Sequence, residues 1–331
     1  MRDKMAYTLN NRVRIDNQNK IIARNVTVTT LRQQKVGLGF RSARGFSAGG
    51  TSPFASPATS NVIDKFSFSS DGNASDVGDL TVNRNRPSGQ SSSSHGYTSG
   101  GNDGTTYYNT IDKFNFSSDG NATDVGDIVG LKGGLAGQSS SIHGYSSGGF
   151  VNPGATNTID RFSFSSDGNA IDVGDLTNNR YNAAGQSSPT HGYTSGGFTV
   201  NLNNTVDKFP FAIEVNATDV GDLYLLKQRA AGQSSSTHGY TAGGASPANV
   251  NHIDKFPFSS DGFLAADIAD LTEARDGPAG QSSTTHGYSS GGQLGIPNFL
   301  TIDKFPFSTD ANATDVGDLS QERFNAAGTQ G

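Results

Sequence analysis

The residues with most chemical potential recur in register. Histidine stands at His95, His143, His191, His238 and His286, each followed by Gly-Tyr, with Arg44 at the matching point of an earlier copy. Five imidazoles on a ring could serve a metal or an anion. Metal ligands must converge within a few ångströms, however, and turn residues a whole repeat apart do not, which leaves local hydrogen bonding. An acidic string, Asp71-Gly72-Asn73-Ala74-Ser75-Asp76-Val77-Gly78-Asp79, returns with small changes. Its oxygens invite calcium, but the spacing departs from that of an EF-hand loop, and Asp and Asn are ordinary turn residues. Asn-Ala-Ser/Thr strings at Asn73, Asn121, Asn216 and Asn312 read as turns, because nothing else suggests a glycosylating compartment.

Catalytic signatures are missing. The chain has no cysteine, which removes disulfides, zinc–thiolate centres and thiol nucleophiles. It has no Gly-x-Ser-x-Gly elbow, and no single repeat carries a distinctive Ser/His/Asp or paired-carboxylate set. Residues identical in every copy are what a fold demands, whereas a catalytic site must break the symmetry. The expectation is a non-enzymatic protein without cofactor or metal.

What positions these residues is a repeat of about 48 residues. Its clearest landmark, Ile63-Asp64-Lys65-Phe66-Ser67-Phe68, returns at Ile111, Ile159, Val206, Ile253 and Ile302. A glycine pair does the same, from Gly49-Gly50 to Gly291-Gly292. In the copy from Ala136, small residues to Ser141 form a first strand. Ile142-His143-Gly144 is read as a tight turn, with glycine at positive φ. Tyr145 to Gly149 is a second strand. Ile159 to Phe164, alternating and aromatic, is the third. Ser166-Asp167-Gly168-Asn169 turns the chain into a fourth, Ile171 to Leu176. Helical periodicity is absent.

Four short antiparallel strands per repeat make a propeller blade. Small residues suit the crowded strand at the axis, and Phe162 and Phe164 would pack on the neighbouring blade, worth roughly 1.5–3 kcal/mol each. Disorder is the alternative for so polar a composition, with 33% hydrophobic residues and 43 glycines, but the fixed Ile/Val, Phe and Leu positions argue for packed sheets. A β-solenoid would use shorter rungs and leave uncapped ends. The termini favour closure: the last copy stops at Gly331 without a second hairpin half, and Arg44 to Gly50 supplies one. The expected fold is all-β, a six-bladed β-propeller over residues 39–331 closed by N- and C-terminal strands, preceded by an extended β arm over 1–38.

The Gly-Gly after a hydrophobic strand, the Ile-Asp-Lys-Phe segment and a downstream arginine before a small-residue strand resemble a degenerate kelch propeller over about residues 40–331. The chain departs from that pattern in having no tryptophan and a shorter first hairpin. The resemblance implies a platform for protein interaction; kelch-like galactose oxidases need a crosslinked cysteine, which this chain lacks. Strings such as Ser-Ser-Thr-His-Gly-Tyr and Asn-Ala-Thr-Asp-Val-Gly-Asp-Leu are also similar to repeats of marine and cyanobacterial phage proteins, including fibre-like virion components.

The arm is basic and the body acidic. Residues 1–44 carry a net charge of +8 and the remainder −14. Val13 and Ile15, a turn at Asp16-Asn17-Gln18-Asn19, and Ile21-Ile22 read as a β-hairpin. Arg12, Arg14, Lys20, Arg24 and Arg32 would attach it to an acidic partner, either the propeller or another virion protein. Nucleic acid is the weaker partner, because the bases are dispersed among apolar residues. No apolar run nears the roughly 18–20 residues of a membrane span, and residues 1–10 lack a secretory signal, so the expected site of synthesis is the host cytoplasm and the expected destination a virion. Strand order puts the loops after Gly-Gly and after Asp-Leu on one rim. These vary from copy to copy and carry Tyr107, Tyr108, Phe150, Phe198 and Phe299, a candidate surface for a host glycan or protein. The competing functions are a cellular kelch-like interaction module and a glycan-active hydrolase or lyase; self-association within a particle stays open.

Overall fold

A computed structural model describes residues 14–15, 21–22, 43–52, 58–295 and 299–331. The chain divides into two compact units, Met1–Gly37 and Leu38–Gly331. In the first, Arg14–Ile15 pairs antiparallel with Ile21–Ile22, the hairpin the alternation predicts. Arg12, Lys20, Arg24 and Arg32 lie outside the described residues. Among the described residues there is no helix, hence none long and apolar enough to cross a membrane.

The second unit is a six-bladed β-propeller of antiparallel sheets. Blade 2, for example, consists of Ser88–Ser91, His95–Ser99, Thr110–Asn115 and Thr123–Asp127 from axis to periphery. Blade 1 is composite. Ala327–Gln330 forms its inner strand beside Arg44–Ala48, Val62–Ser67 and Ser75–Asp79, with Phe46 opposite Thr329. The two ends of the repeat array therefore share one sheet, so neither end of the array is left without a neighbouring blade. Blade 5 departs from its neighbours: after Asp261-Gly262, Phe263–Leu264 stands where the others have the turn asparagine, and it pairs parallel with the outer strand of blade 4.

The core lies between blades. In blade 3, Ile159 faces blade 4 and Phe162 faces blade 2, so both sides of the strand are buried. Tyr145 stacks on Phe211 and tilts against Phe209 of the next blade. The same triplet recurs at every interface, with Phe46 in the tyrosine position of blade 1. The pairing expected of Phe162 and Phe164 is what Tyr97 receives.

The second strand corrects the sequence reading. It starts at His143 and ends at Ser147, and the turn before it is Ser140–Ile142. Gly144 is a strand residue without positive φ. Its requirement is steric: it sits opposite Phe162 in register, and a Cβ there would strike the ring.

Three concentric devices hold the axis. Gly89, Gly137, Gly185, Gly232, Gly280 and Gly328 lie each against the backbone of the one before, and Gly89 against Gly328. On one side, backbone N–H groups donate to the next blade's side chain around a circle: Ser91 to Ser139 Oγ, and so on to Ser282 with Gln330 Oε1 and Gln330 with Ser91 Oγ. On the other side, the backbone N–H of Arg86 donates to Asn325, Gly134 to Arg86, Asn182 to Gly134, Arg229 to Asn182, Gly277 to Arg229 and Asn325 to Gly277, at 2.6–2.8 Å. This second circle also closes on itself.

One interface is under-bonded. Gln90, Gln138, Gln186, Gln233 and Gln281 each donate from Nε2 to a backbone carbonyl of the following blade. Thr329 holds that position in blade 1, and both its hydroxyl and that of Thr98 in blade 2 are buried without partners among the described residues. Thr329→Gln should restore the bond to the Tyr97 carbonyl and satisfy Thr98. The expected gain is about 1 kcal/mol, seen as a rise of roughly 2–4 °C in Tm; an unchanged or lower Tm refutes the assignment.

Candidate functional site

The repeated polar residues are occupied by the fold. Each of the six exit loops, which follow the outer strands, carries a buried cation that meets a buried aspartate of the next blade: Arg84–Asp112, Lys132–Asp160, Arg180–Asp207, Lys227–Asp254, Arg275–Asp303 and Arg323–Asp64. On the opposite rim, exposed pairs such as Lys113–Asp167 and Lys255–Asp310 tie blades together through the acidic turn. The asparagine of that turn accepts from the previous blade, Asn169 Oδ1 from the Asp127 N–H at 3.0 Å. Asp124 and its equivalents accept from the glycine N–H two residues on. The acidic string thus has bonding tasks throughout.

The histidines also act locally. Nδ1 of His95, His191, His238 and His286 hydrogen-bonds the preceding Ser or Thr hydroxyl at 2.8–2.9 Å. Their rings lie 6.4–6.5 Å from the tyrosine two residues on. Partial burial, then the adjacent lysine, lowers each imidazole pKa. Among the described residues no group of His, Asp or Glu is arranged to hold a metal.

The other rim breaks the symmetry, and part of it assembles. Residues after each Gly-Gly bridge to the exit loop of the previous blade: Thr51 to Phe324, Asn102 to Asn85, Phe150 to Gly133, Phe198 to Tyr181, Ala245 to Gln228 and Gln293 to Asp276. Through these bridges Tyr107, Phe150, Tyr181 and Phe198 form a continuous arc, with ring centroids 5.8, 5.3 and 5.7 Å apart. All four are half-buried. Val129, Leu131, Val200, Tyr224 and Leu226 stand exposed on loops of the same rim. Beside Phe198, a cleft is lined by Asn157, Thr177, Asn178, Asn179, Thr199 and Asn203, amides and hydroxyls suited to hydroxyl-rich ligands.

Two expected members stay outside the arc. Tyr108 donates its hydroxyl to Asp103 at 2.8 Å, and Asp103 is held well below the usual carboxylate range by the backbone N–H groups of Thr106 and Thr105. Phe299 packs under the buried Arg275, 4.8 Å from the guanidinium carbon. Both serve loop structure.

Sequence reasoning missed three sets of residues. Tyr181 lies in an exit loop, away from the Gly-Gly loops where aromatics were sought. His252 Nδ1 sits 2.6 Å from Asp267, with the Tyr224 ring stacked on the imidazole at 6.0 Å. Blade 5 alone has histidine at the start of its third strand, a break in pattern that was legible and overlooked. Arg86 and Arg229 line a small cavity at the axial mouth of this rim; their position beside the closed backbone circle could not be read without the register of all blades.

The chain matches no known family model and no curated protein.

Proposed function

We propose that this chain is a non-enzymatic binding and structural protein, a kelch-like component of a phage virion. Its basic arm anchors it to another virion protein, and its variable rim meets a host surface glycan or a neighbouring protein. The carrying observation is that departures from symmetry concentrate on one rim and include the Tyr107–Phe150–Tyr181–Phe198 arc. Aromatic faces on a rigid scaffold are efficient anchors because they lose little conformational freedom on binding. The kelch affiliation draws on the exit-loop cation found in every blade. The phage setting draws on the repeat wording and the arm.

The test separates rim from arm. Tyr107→Ala, Phe150→Ala and Phe198→Ala combined should weaken retention on host cells at least about tenfold and leave particle assembly intact. Deleting residues 1–38 should do the reverse: loss from the particle with an intact ring. If the triple variant binds as well as the parent, the rim assignment fails. A soluble protein that captures one cellular partner would favour the cellular kelch-like module. The glycan-active reading has one specific site, His252–Asp267; polysaccharide turnover abolished by His252→Ala would replace the binding role with catalysis.

A further inference from the structure

Six equivalent residues ring the axis at the mouth on the variable rim: Arg86, Gly134, Asn182, Arg229, Gly277 and Asn325. All have φ between 55° and 72°, the left-handed region. Around the ring the order Arg, Gly, Asn occurs twice, so a twofold pattern sits inside the sixfold frame and the two arginines lie across the axis. Gly and Asn have physical reasons to be there. Both tolerate the conformation, and each glycine leaves room for the next blade's amide. Oδ1 of Asn182 would be 2.7 Å from a Cβ at Gly134, and Oδ1 of Asn325 would be 2.6 Å from one at Gly277.

Arginine has neither reason. It is strained in this conformation, and retained strain clusters at ligand sites. Arg229 pairs with the buried Asp276, Nη1 to Oδ2 at 2.5 Å. Arg86 has no carboxylate partner among the described residues, and the Nε atoms of both arginines are buried without acceptors. Burial first, and the charge of Arg229 next, lower the Arg86 pKa. Two guanidinium groups against one carboxylate leave an uncompensated positive charge in a cavity of about 130 Å³. That volume takes a small oxyanion, not a drug-sized ligand.

We propose that the axial mouth is an oxyanion site, where Arg86 and Arg229 hold a carboxylate, sulfate or phosphate group from opposite sides of the propeller axis. A guanidinium presents its donors in a fork that matches such groups. Bound there, the anion cancels the repulsion between the two cations. Tyr107 and Tyr181 of the aromatic arc lie close enough to Arg86 to favour its charge. A free anion and the acidic end of a saccharide share this chemistry. The assignment is independent of the virion reading.

The experiment is calorimetric titration of the full chain with inorganic phosphate and, separately, glucuronate, against chloride at matched ionic strength. Arg86→Asn and Arg229→Asn keep a residue that accepts the conformation and remove the guanidinium. Saturable binding of one probe per chain, at least about tenfold weaker in each variant, supports the site. Preference for glucuronate identifies an acidic saccharide as the source, and preference for phosphate a free anion. Arg86→Asn should also melt no lower than the parent, since it removes strain and repulsion. Absence of saturable binding, equal binding by both variants, or a marked fall in Tm for Arg86→Asn overturns the proposal.

Discussion

Gly185→Ala is expected to abolish folding of the ring. The inner strands meet at the axis with no side chain between them, and a Cβ on Gly185 would fall far inside contact distance of the Gly137 carbonyl oxygen. The obstacle is backbone, so no rotamer change relieves it. Moving one inner strand outward breaks the Ser139 and Ser187 links to its neighbours and the two bonds that Asn182 makes in the second circle. Because the ring is closed, the displacement cannot be absorbed at a free end. Overpacking in a core usually costs about 1–3 kcal/mol; here several buried hydrogen bonds, each about 1 kcal/mol, are lost as well. The sum is comparable to the whole stability of a typical domain, about 5–15 kcal/mol. Gly72→Ala is the control, since nothing lies within 4 Å of a Cβ there. It should express as folded protein with only a modest drop in Tm, from its own positive φ of 157°. A Gly185→Ala protein with parental circular dichroism and cooperative melting refutes this account of the axis.

The same axis shows how far sequence can be read. The blade count, the composite first blade and the packing of the paired phenylalanines on the neighbouring blade follow from spacing, because each repeat is one unit with fixed apolar positions. What spacing cannot supply is the sixfold register. In sequence Gly144 has the character of a turn residue, since His-Gly-Tyr has turn composition; only the cross-strand position of Phe162 reveals a steric demand. The exit-loop cation differs between copies, arginine in some and lysine at Lys132 and Lys227, and its aspartate lies about 30 residues on, inside the next blade. Sequence shows such a pair as two ordinary surface-type charges. The candidate site follows the same logic. Phe150 and Phe198 were legible as breaks in symmetry on a variable loop. Tyr181 and Arg86 were not: strand order puts their loops on the same rim, but which exit-loop residue meets which Gly-Gly loop depends on the register between blades. Phe299 was legible as an aromatic, but its neighbour Arg275 turns it into packing.

Arg323→Met should destabilise the protein by about 3–5 kcal/mol, the usual result of leaving one member of a buried ion pair alone. Arg323 and Asp64 both have fully buried side chains, and burial lowers the arginine pKa despite the carboxylate beside it. The pair joins the last exit loop to blade 1. Arg323 Nη1 also donates to the Gly49 and Val62 carbonyls at 3.2 and 2.8 Å, and Asp64 accepts from the Ser320 N–H and hydroxyl. Removal of the guanidinium therefore strands a carboxylate and two carbonyls at the seam where the circle closes. Arg323→Lys should cost less, about 1–2 kcal/mol, because Lys132 and Lys227 already fill the same place. Those two blades show the cost of the exchange: Oδ1 of Asp160 and of Asp254 lacks a partner among the described residues, and burial, opposed by Lys132, pushes the Asp160 carboxyl up to about 6. The exposed pair Lys113–Asp167 sets the lower bound, since Lys113→Met should change stability by less than about 1 kcal/mol. Urea denaturation of the three variants should rank them Lys113→Met, Arg323→Lys, Arg323→Met in rising loss. If Arg323→Met is as stable as Lys113→Met, the buried cations do not hold the blades together, and the closing seam depends on the Ala327–Gln330 strand alone.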